Sequence, residues 1–276
     1  MATPEAPLRE LLKNISFTQF PLHTTASFFA PSEIPRSQLH VHRPLRQSPG
    51  SSPTCDARSL HALALLRFAS FDVDIVYGSA PDASPDGALP FLLMPSRAAL
   101  DAKAIAQHVA AKLSNEPADH QAYLILAQHN LLPAIDYLFW VDRKGSSAVA
   151  SRLLPFHPLI QRILGYQKAR QVGDHLRVGQ AELVGGTLDA AVLFENALRA
   201  LDALVGLLAE NEYFAGGQPG RLDALVFACV NCIVEIPVPS PLRSAVLREG
   251  SEYAPLVSFA MRILERYFPS QGDNLI

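Results

Sequence analysis

Residues 87–94 read Gly-Ala-Leu-Pro-Phe-Leu-Leu-Met, an apolar run opened by a proline. The composition is that of a buried strand, but proline lacks a ladder N–H and is usually avoided inside sheets. Ala88–Met94 is expected to be a strand that begins with this proline, whose position suggests a constrained turn, cis being one form open to it. Upstream, Phe71, Val73, Ile75 and Tyr77 alternate with Asp72, Asp74 and Val76, which predicts a strand with one face buried. Before it, Leu60, Leu63, Ala64, Arg67 and Phe68 recur at three- and four-residue steps, predicting an amphipathic helix over Cys55–Ala69 with Thr54 as its N-cap. Leu39–Leu45 predicts another short strand, followed by the turn-rich stretch 47–53. Downstream, Ile105, His108, Val109 and Lys112 place a helix over Asp101–Leu113.

From Pro117 the pattern is helical almost throughout. Helices are expected over Pro117–Phe139, Pro158–Val172, Ala181–Glu210, Leu222–Ile236 and Pro241–Tyr267. The segment Phe17–Phe29 has aromatics around Pro21 and no sustained period, so it reads as an arm laid across a surface. That surface belongs either to a partner or to the core of the small strand-containing domain. The expected parts are an arm, 1–36, a small α/β domain, 37–116, and an all-helical domain, 117–276.

With 276 residues, 49% of them hydrophobic and 18% charged, the chain is too apolar to be an extended disordered protein and long enough for a sizeable core. A net charge of -3 excludes a surface that is electropositive throughout, so no nucleic-acid partner is expected. Leu222–Val238 is the longest apolar stretch, but Asp223, Asn231, Glu235 and two prolines break it, which predicts a buried helix rather than a membrane span. Met1–Glu10 lacks the basic start and apolar core of a secretory signal, so the chain is expected to stay uncleaved and face the cytosol. Three cysteines, Cys55, Cys229 and Cys232, suit a reducing compartment better than a disulfide framework.

Charge is nevertheless local. Between Arg143 and Arg177 seven cations, among them Arg162, Lys168 and Arg170, face the single acid Asp174. This block reads either as a docking site for anionic lipid or an acidic partner loop, or as a solvated helix face. His40 and His42 are expected to be exposed rather than metal-ligating, Cys229 and Cys232 to pack in a core, and neither metal nor cofactor is expected. No Gly-x-Ser-x-Gly elbow or phosphate-binding motif appears, which sets aside hydrolase and nucleotide-binding readings.

The order strand, helix, strand, strand, helix, followed by helices, and the Leu89-Pro90 step resemble the glutathione-transferase architecture: a small thioredoxin-like α/β domain followed by an all-helical domain. Tyr213-Phe214-Ala215-Gly216-Gly217, then Leu222-Asp223-Ala224-Leu225-Val226-Phe227, resembles that superfamily's lead into its buried helix. There a hydroxyl at the N-cap and an acid three residues on form a capping pair; here Gly220 replaces the hydroxyl and Asp223 is kept. Transferases also need a Tyr, Ser or Cys near the first helix and an acid-Ser pair after the third strand. The pair is missing, since Ala102 follows Asp101, while Cys55 near a helix start is a candidate for a depressed thiol pKa. A glutathione-dependent transferase or thiol reductase using Cys55 is therefore the alternative function.

The leading resemblance is to the metaxins, non-catalytic relatives of this architecture. Gly87-Ala88-Leu89-Pro90-Phe91-Leu92 is similar to their Gly-x-x-Pro-Phe-Leu, and Leu222–Pro241 to their buried helix and proline turn. Phe17-Thr18-Gln19-Phe20-Pro21-Leu22-His23-Thr24 resembles the Phe-Pro-Leu-x-Thr opening of the smaller metaxin-like peripheral subunit in fungi. The resemblance implies a non-enzymatic subunit of the mitochondrial sorting and assembly machinery, peripheral on the cytosolic face of the outer membrane. Its implied partners are the integral β-barrel core subunit, a second metaxin-like subunit and β-barrel precursors, with an anionic membrane surface as a further contact. Phe20, Pro21, Leu22, Arg162, Lys168 and Arg170 are the candidate contact residues. The residues leave open whether the chain receives precursors or only stabilises the assembly.

Overall fold

A computed structural model describes residues 35–45, 50–77, 84–113, 117, 119–153, 158–184 and 188–269, all within 35–276, the second of two units into which the chain divides. Strand β1, Gln38–Val41, buries Leu39 and Val41 on one face of a four-stranded sheet. Helix α1, Ala57–Phe68, connects it to β2, Asp74–Tyr77, and the crossover makes these two strands parallel. Strand β3, Phe91–Leu93, runs antiparallel to β1 and pairs on its other side with β4, Ala99–Asp101, so the order is β2-β1-β3-β4. Leu89-Pro90 is cis, and β3 starts at the residue after the proline, shorter than the expected Ala88–Met94. Because Pro90 lies outside the strand, its missing N–H leaves the ladder intact.

The helix starts differ from the sequence reading where a nearer carboxylate wins the cap. Asp56, not Thr54, caps α1 by accepting hydrogen bonds from the Ser59 amide and hydroxyl, each at 2.8 Å. Asp101 ends β4 and caps α2, Ala102–Ala110, accepting from the Ala104 amide at 2.7 Å. A tight 3₁₀ turn, Ala111–Leu113, follows.

The helical part comprises α3, His120–Asp136; α4, Arg143–Leu153; α5, Pro158–Val184; and α6, Ala190–Leu208. It continues with α7, Arg221–Glu235; α8, Pro241–Leu247; and α9, Ala254–Tyr267. Helix α3 contains Pro133 and widens at its end into a π-type turn, Tyr137–Val141. Asp142 caps α4 by accepting from the Gly145 amide at 2.8 Å. The turn and α4 are so close that a Cβ at Gly145 would overlap the Leu138 carbonyl oxygen. Helix α4 escaped the sequence reading because its run of Gly and Ser has little apolar period. Helix α5 extends past the expected Val172, α6 begins later than the expected Ala181, and the stretch expected as one helix over Pro241–Tyr267 is two.

Helix α7 is the centre of the fold. Every residue from Leu222 to Ile233 is buried, and the helix packs against α1, α3 and α9, as its apolar sequence predicts. One continuous apolar cluster runs from Leu39 and Leu92 of the sheet through Leu60 and Leu63 of α1 to Phe227 of α7 and Phe259 of α9. No helix among the described residues is long and apolar enough to cross a membrane.

Burying α7 requires its first amides to be satisfied inside the protein. Gly220 has no side chain to offer, so Asp223 supplies the cap alone. Its Oδ2 accepts from the Gly220 amide and its Oδ1 from the Phe214 amide, both at 2.9 Å, with the residue 1% exposed. Asp223→Ala would leave two buried donors unpaired, and urea denaturation of the purified chain should show a loss of about 2–5 kcal/mol. Asp223→Asn, which keeps an acceptor oxygen, should lose less.

Candidate functional site

In a transferase of this shape the chemistry would gather where the end of β1, the start of α1 and the approach to α2 meet. Here those groups are committed to structure. Cys55 is 2% exposed; burial, and then the neighbouring Asp56 carboxylate, push its thiol well above the ordinary value. This corrects the expectation of a depressed pKa. The physical reason is that Asp56 occupies the helix N-terminus that would otherwise stabilise a thiolate, and adds a negative charge beside the sulfur. Cys229 and Cys232 are buried in α7, their thiols pushed up chiefly by burial, and Cys232 Sγ donates to the Cys55 carbonyl at 3.3 Å. Asp101 spends its carboxylate on the α2 cap.

The remaining groups here are held in packing and ion pairs. Arg58 of α1 donates two hydrogen bonds to the Asp136 carboxylate of α3, at 2.8 and 2.6 Å, joining the sheet layer to the helices. Burial works against the Arg58 charge, but the Asp136 bonds outweigh it and raise its pKa. The pair keeps contact with water through Arg58, whose side chain is 43% exposed against 10% for Asp136. His42 lies against Trp140 of the π-type turn, ring centroids 6.4 Å apart, and Lys168 Nζ stands 5.9 Å from the same ring. His40 stacks on Phe91 at 4.3 Å and 7°. The two histidines are thus half-buried against aromatic rings rather than exposed as expected, and burial lowers the pKa of each. The alternation on β1 shows which residues share a face, but not that the second face is also covered.

The basic block divides among different surroundings. Arg162 and Arg170 are exposed on α5, while Lys168 turns inward to Trp140, as the ~100° step per helical residue requires of positions two apart. Arg170 and Arg177 both pair with Asp174, at 3.9 and 2.7 Å. Phe20, Pro21 and Leu22 lie outside the described residues.

This geometry defines the class: a glutathione-transferase-like fold whose transferase end is filled by packed and capped side chains. Solved structures agree on the fold. A glutathione S-transferase of Ceriporiopsis subvermispora in complex with glutathione matches with a TM-score of 0.51 at 14% identity, covering 83% of this chain and 97% of that one. A β-etherase from Sphingobium matches with a TM-score of 0.51 at 13% identity, covering 83% and 95%. Residues 197–263 match the family model described as the glutathione S-transferase C-terminal domain, and residues 59–157 the one described as an outer mitochondrial membrane transport complex protein.

Sequence relatives narrow this further. Metaxin-2 of Mus musculus is 30% identical over 231 residues, 79% of this chain and 85% of its own length. A metaxin-1 homolog of Caenorhabditis briggsae is 28% identical over 236 residues, 81% and 72% of the respective chains. The chain belongs to the metaxin family.

Two outcomes follow from the site. A disulfide reagent such as DTNB should leave all three thiols nearly unreacted in the native protein and titrate three in guanidinium. His61 on α1 has an enclosed Nε2 with no hydrogen-bond partner, and burial, then Arg221, press its pKa from 6.5 down to about 4. Between those values the unfolded chain holds a proton that the folded one excludes. Stability present above pH 6.5 should therefore decline as the pH falls through this window, by at most about 1.4 kcal/mol per pH unit for one proton. Denaturant titrations at pH 7 and pH 5 should show a smaller decline for His61→Gln than for the wild type.

Proposed function

We propose that this chain is a non-enzymatic peripheral subunit of the mitochondrial sorting and assembly machinery, which holds the terminal sorting signal of β-barrel precursors beside an integral β-barrel core subunit. Its family and the transport-complex match over 59–157 support work in protein transport at the mitochondrial outer membrane. The observation that carries the non-enzymatic reading is the commitment of Asp56, Asp101 and Cys55 to caps and core at the transferase end. A cytosolic location suits a reduced, buried set of three cysteines.

A sorting signal arrives as a strand with unpaired backbone groups and an apolar side, so its receptor must satisfy both. The β2 edge supports receptor duty, because among the described residues it ends the sheet and carries Ile75, Val76 and Tyr77 half-buried. In this reading the arm, through Phe20, Pro21 and Leu22, docks on the core subunit or on a second metaxin-like subunit. Proline holds that segment extended and lowers its ordering cost. Arg162, Lys168 and Arg170 belong to the element facing anionic lipid or an acidic loop. The two domains, 37–116 and 117–276, then divide the work between signal and assembly contacts.

A signal peptide carrying a photoreactive residue, added to the complex purified in mild detergent, should label this chain within or beside β2. Labelling of the core subunit alone, with this chain present in the complex, would overturn receptor duty and leave a scaffold.

A further inference from the structure

At the other end of α1, roughly 16 Å from Asp56 at 1.5 Å per residue, lies a cleft of about 350 Å³. It opens between the last turn of α1, the 3₁₀ turn Ala111–Leu113, the loop 213–220 and the end of α9. Three cations from three separate elements line it: Arg67, Lys112 and Arg266. The walls add Tyr213 and Tyr267 and the stretch Gly217-Gln218-Pro219-Gly220.

The negative charge beside this group is smaller than the positive. Arg266 donates to Glu212 Oε1 at 2.8 Å and to the Tyr213 hydroxyl at 2.9 Å; Glu212 is exposed, while Tyr213 is buried. Among the described residues Lys112 donates to the Ala69 carbonyl, at 3.5 Å, and stands over the Phe71 ring, 5.8 Å from its centroid. Arg67 is the informative residue: its Nε is buried and makes no hydrogen bond. The α1 carbonyls near it are already taken by the amides of Ala69, Ser70 and Phe71. A buried guanidinium N–H without an acceptor is costly unless something anionic completes it. Asp223, close by in sequence to the loop, is fully used on the Phe214 and Gly220 amides and does not serve.

We propose that this cleft binds a small anion bearing phosphoryl groups. A carboxylate has two oxygens and is matched by one guanidinium fork, whereas a phosphoryl group presents three oxygens and up to two charges, enough to engage three converging cations. The volume accommodates a phosphorylated head group or a small soluble phosphate compound and lies within the usual range for ligand sites. The site is separate from the basic block of α5 and does not depend on the function proposed above.

The test uses the full chain. Inorganic pyrophosphate is titrated calorimetrically, and flotation is measured with phosphatidylcholine vesicles with and without 10% phosphatidylinositol 4-phosphate. Saturable binding to either probe is expected, weakened at least tenfold by Arg67→Gln and by Lys112→Gln and unchanged by Arg248→Gln, an exposed cation outside the cleft. Lys112 lies on an exposed turn, so its variant reports on the cleft even if Arg67→Gln disturbs folding. Binding to pyrophosphate alone would identify a soluble phosphate compound, and binding to the phosphoinositide vesicles alone a lipid head group. Absence of saturable binding to both, or binding to either probe that is indifferent to Lys112→Gln, would overturn the proposal.

Discussion

A helix that is buried on all sides must have its terminal amides satisfied without water, and the architecture depends on how α7 meets that demand. The Asp223 carboxylate bridges the Phe214 and Gly220 amides, so it caps the helix and also pins the loop that leads into it. With the start of α7 held, its apolar surface is aligned with α1 on one side and α3 and α9 on others. The sheet is then attached to the helical layer mainly through α1, by apolar packing and by the Arg58–Asp136 pair. Removal of a single carboxylate therefore affects both layers, because buried donors have no substitute partner.

The same economy of polar groups governs the start of α1. A catalytic thiol or hydroxyl must be exposed to substrate and stabilised as an anion. At the start of α1 the helix end is taken by Asp56, and Cys55 points into a core shared with Cys232. Across from it, Trp140, His42 and Lys168 pack together where the π-type turn, β1 and α5 approach. The fold has kept the scaffold and redirected its polar residues to holding helices in place.

Much of the fold was legible in the sequence. Gly87–Met94 announced a strand opened by a constrained proline, the alternation at Phe71–Tyr77 a half-buried strand, and Leu222–Ile236 a buried helix. These signals are local: a missing N–H, a two-residue period and an apolar run are properties of neighbouring residues. The half-present capping pair at Gly220 and Asp223 was also readable, because its spacing is set by one helical turn. By contrast, β4 is three residues long and α4 is rich in Gly and Ser, so neither has enough period to register.

The candidate site was legible only as a list of residue types. From sequence, Cys55 beside a helix start looked able to ionise; the cap is taken by the adjacent Asp56, but whether the sulfur meets water depends on residues more than a hundred positions away. The cleft of Arg67, Lys112 and Arg266 was invisible for the same reason, since no pattern links three cations on three elements. The sequence by itself determined the change from a small strand-containing part to a helical one, the buried central helix and the family to which the chain belongs. Only the tertiary structure decided which charges converge and which are spent on caps, because electrostatic and desolvation energies depend on distance and burial, and neither is a property of a linear string.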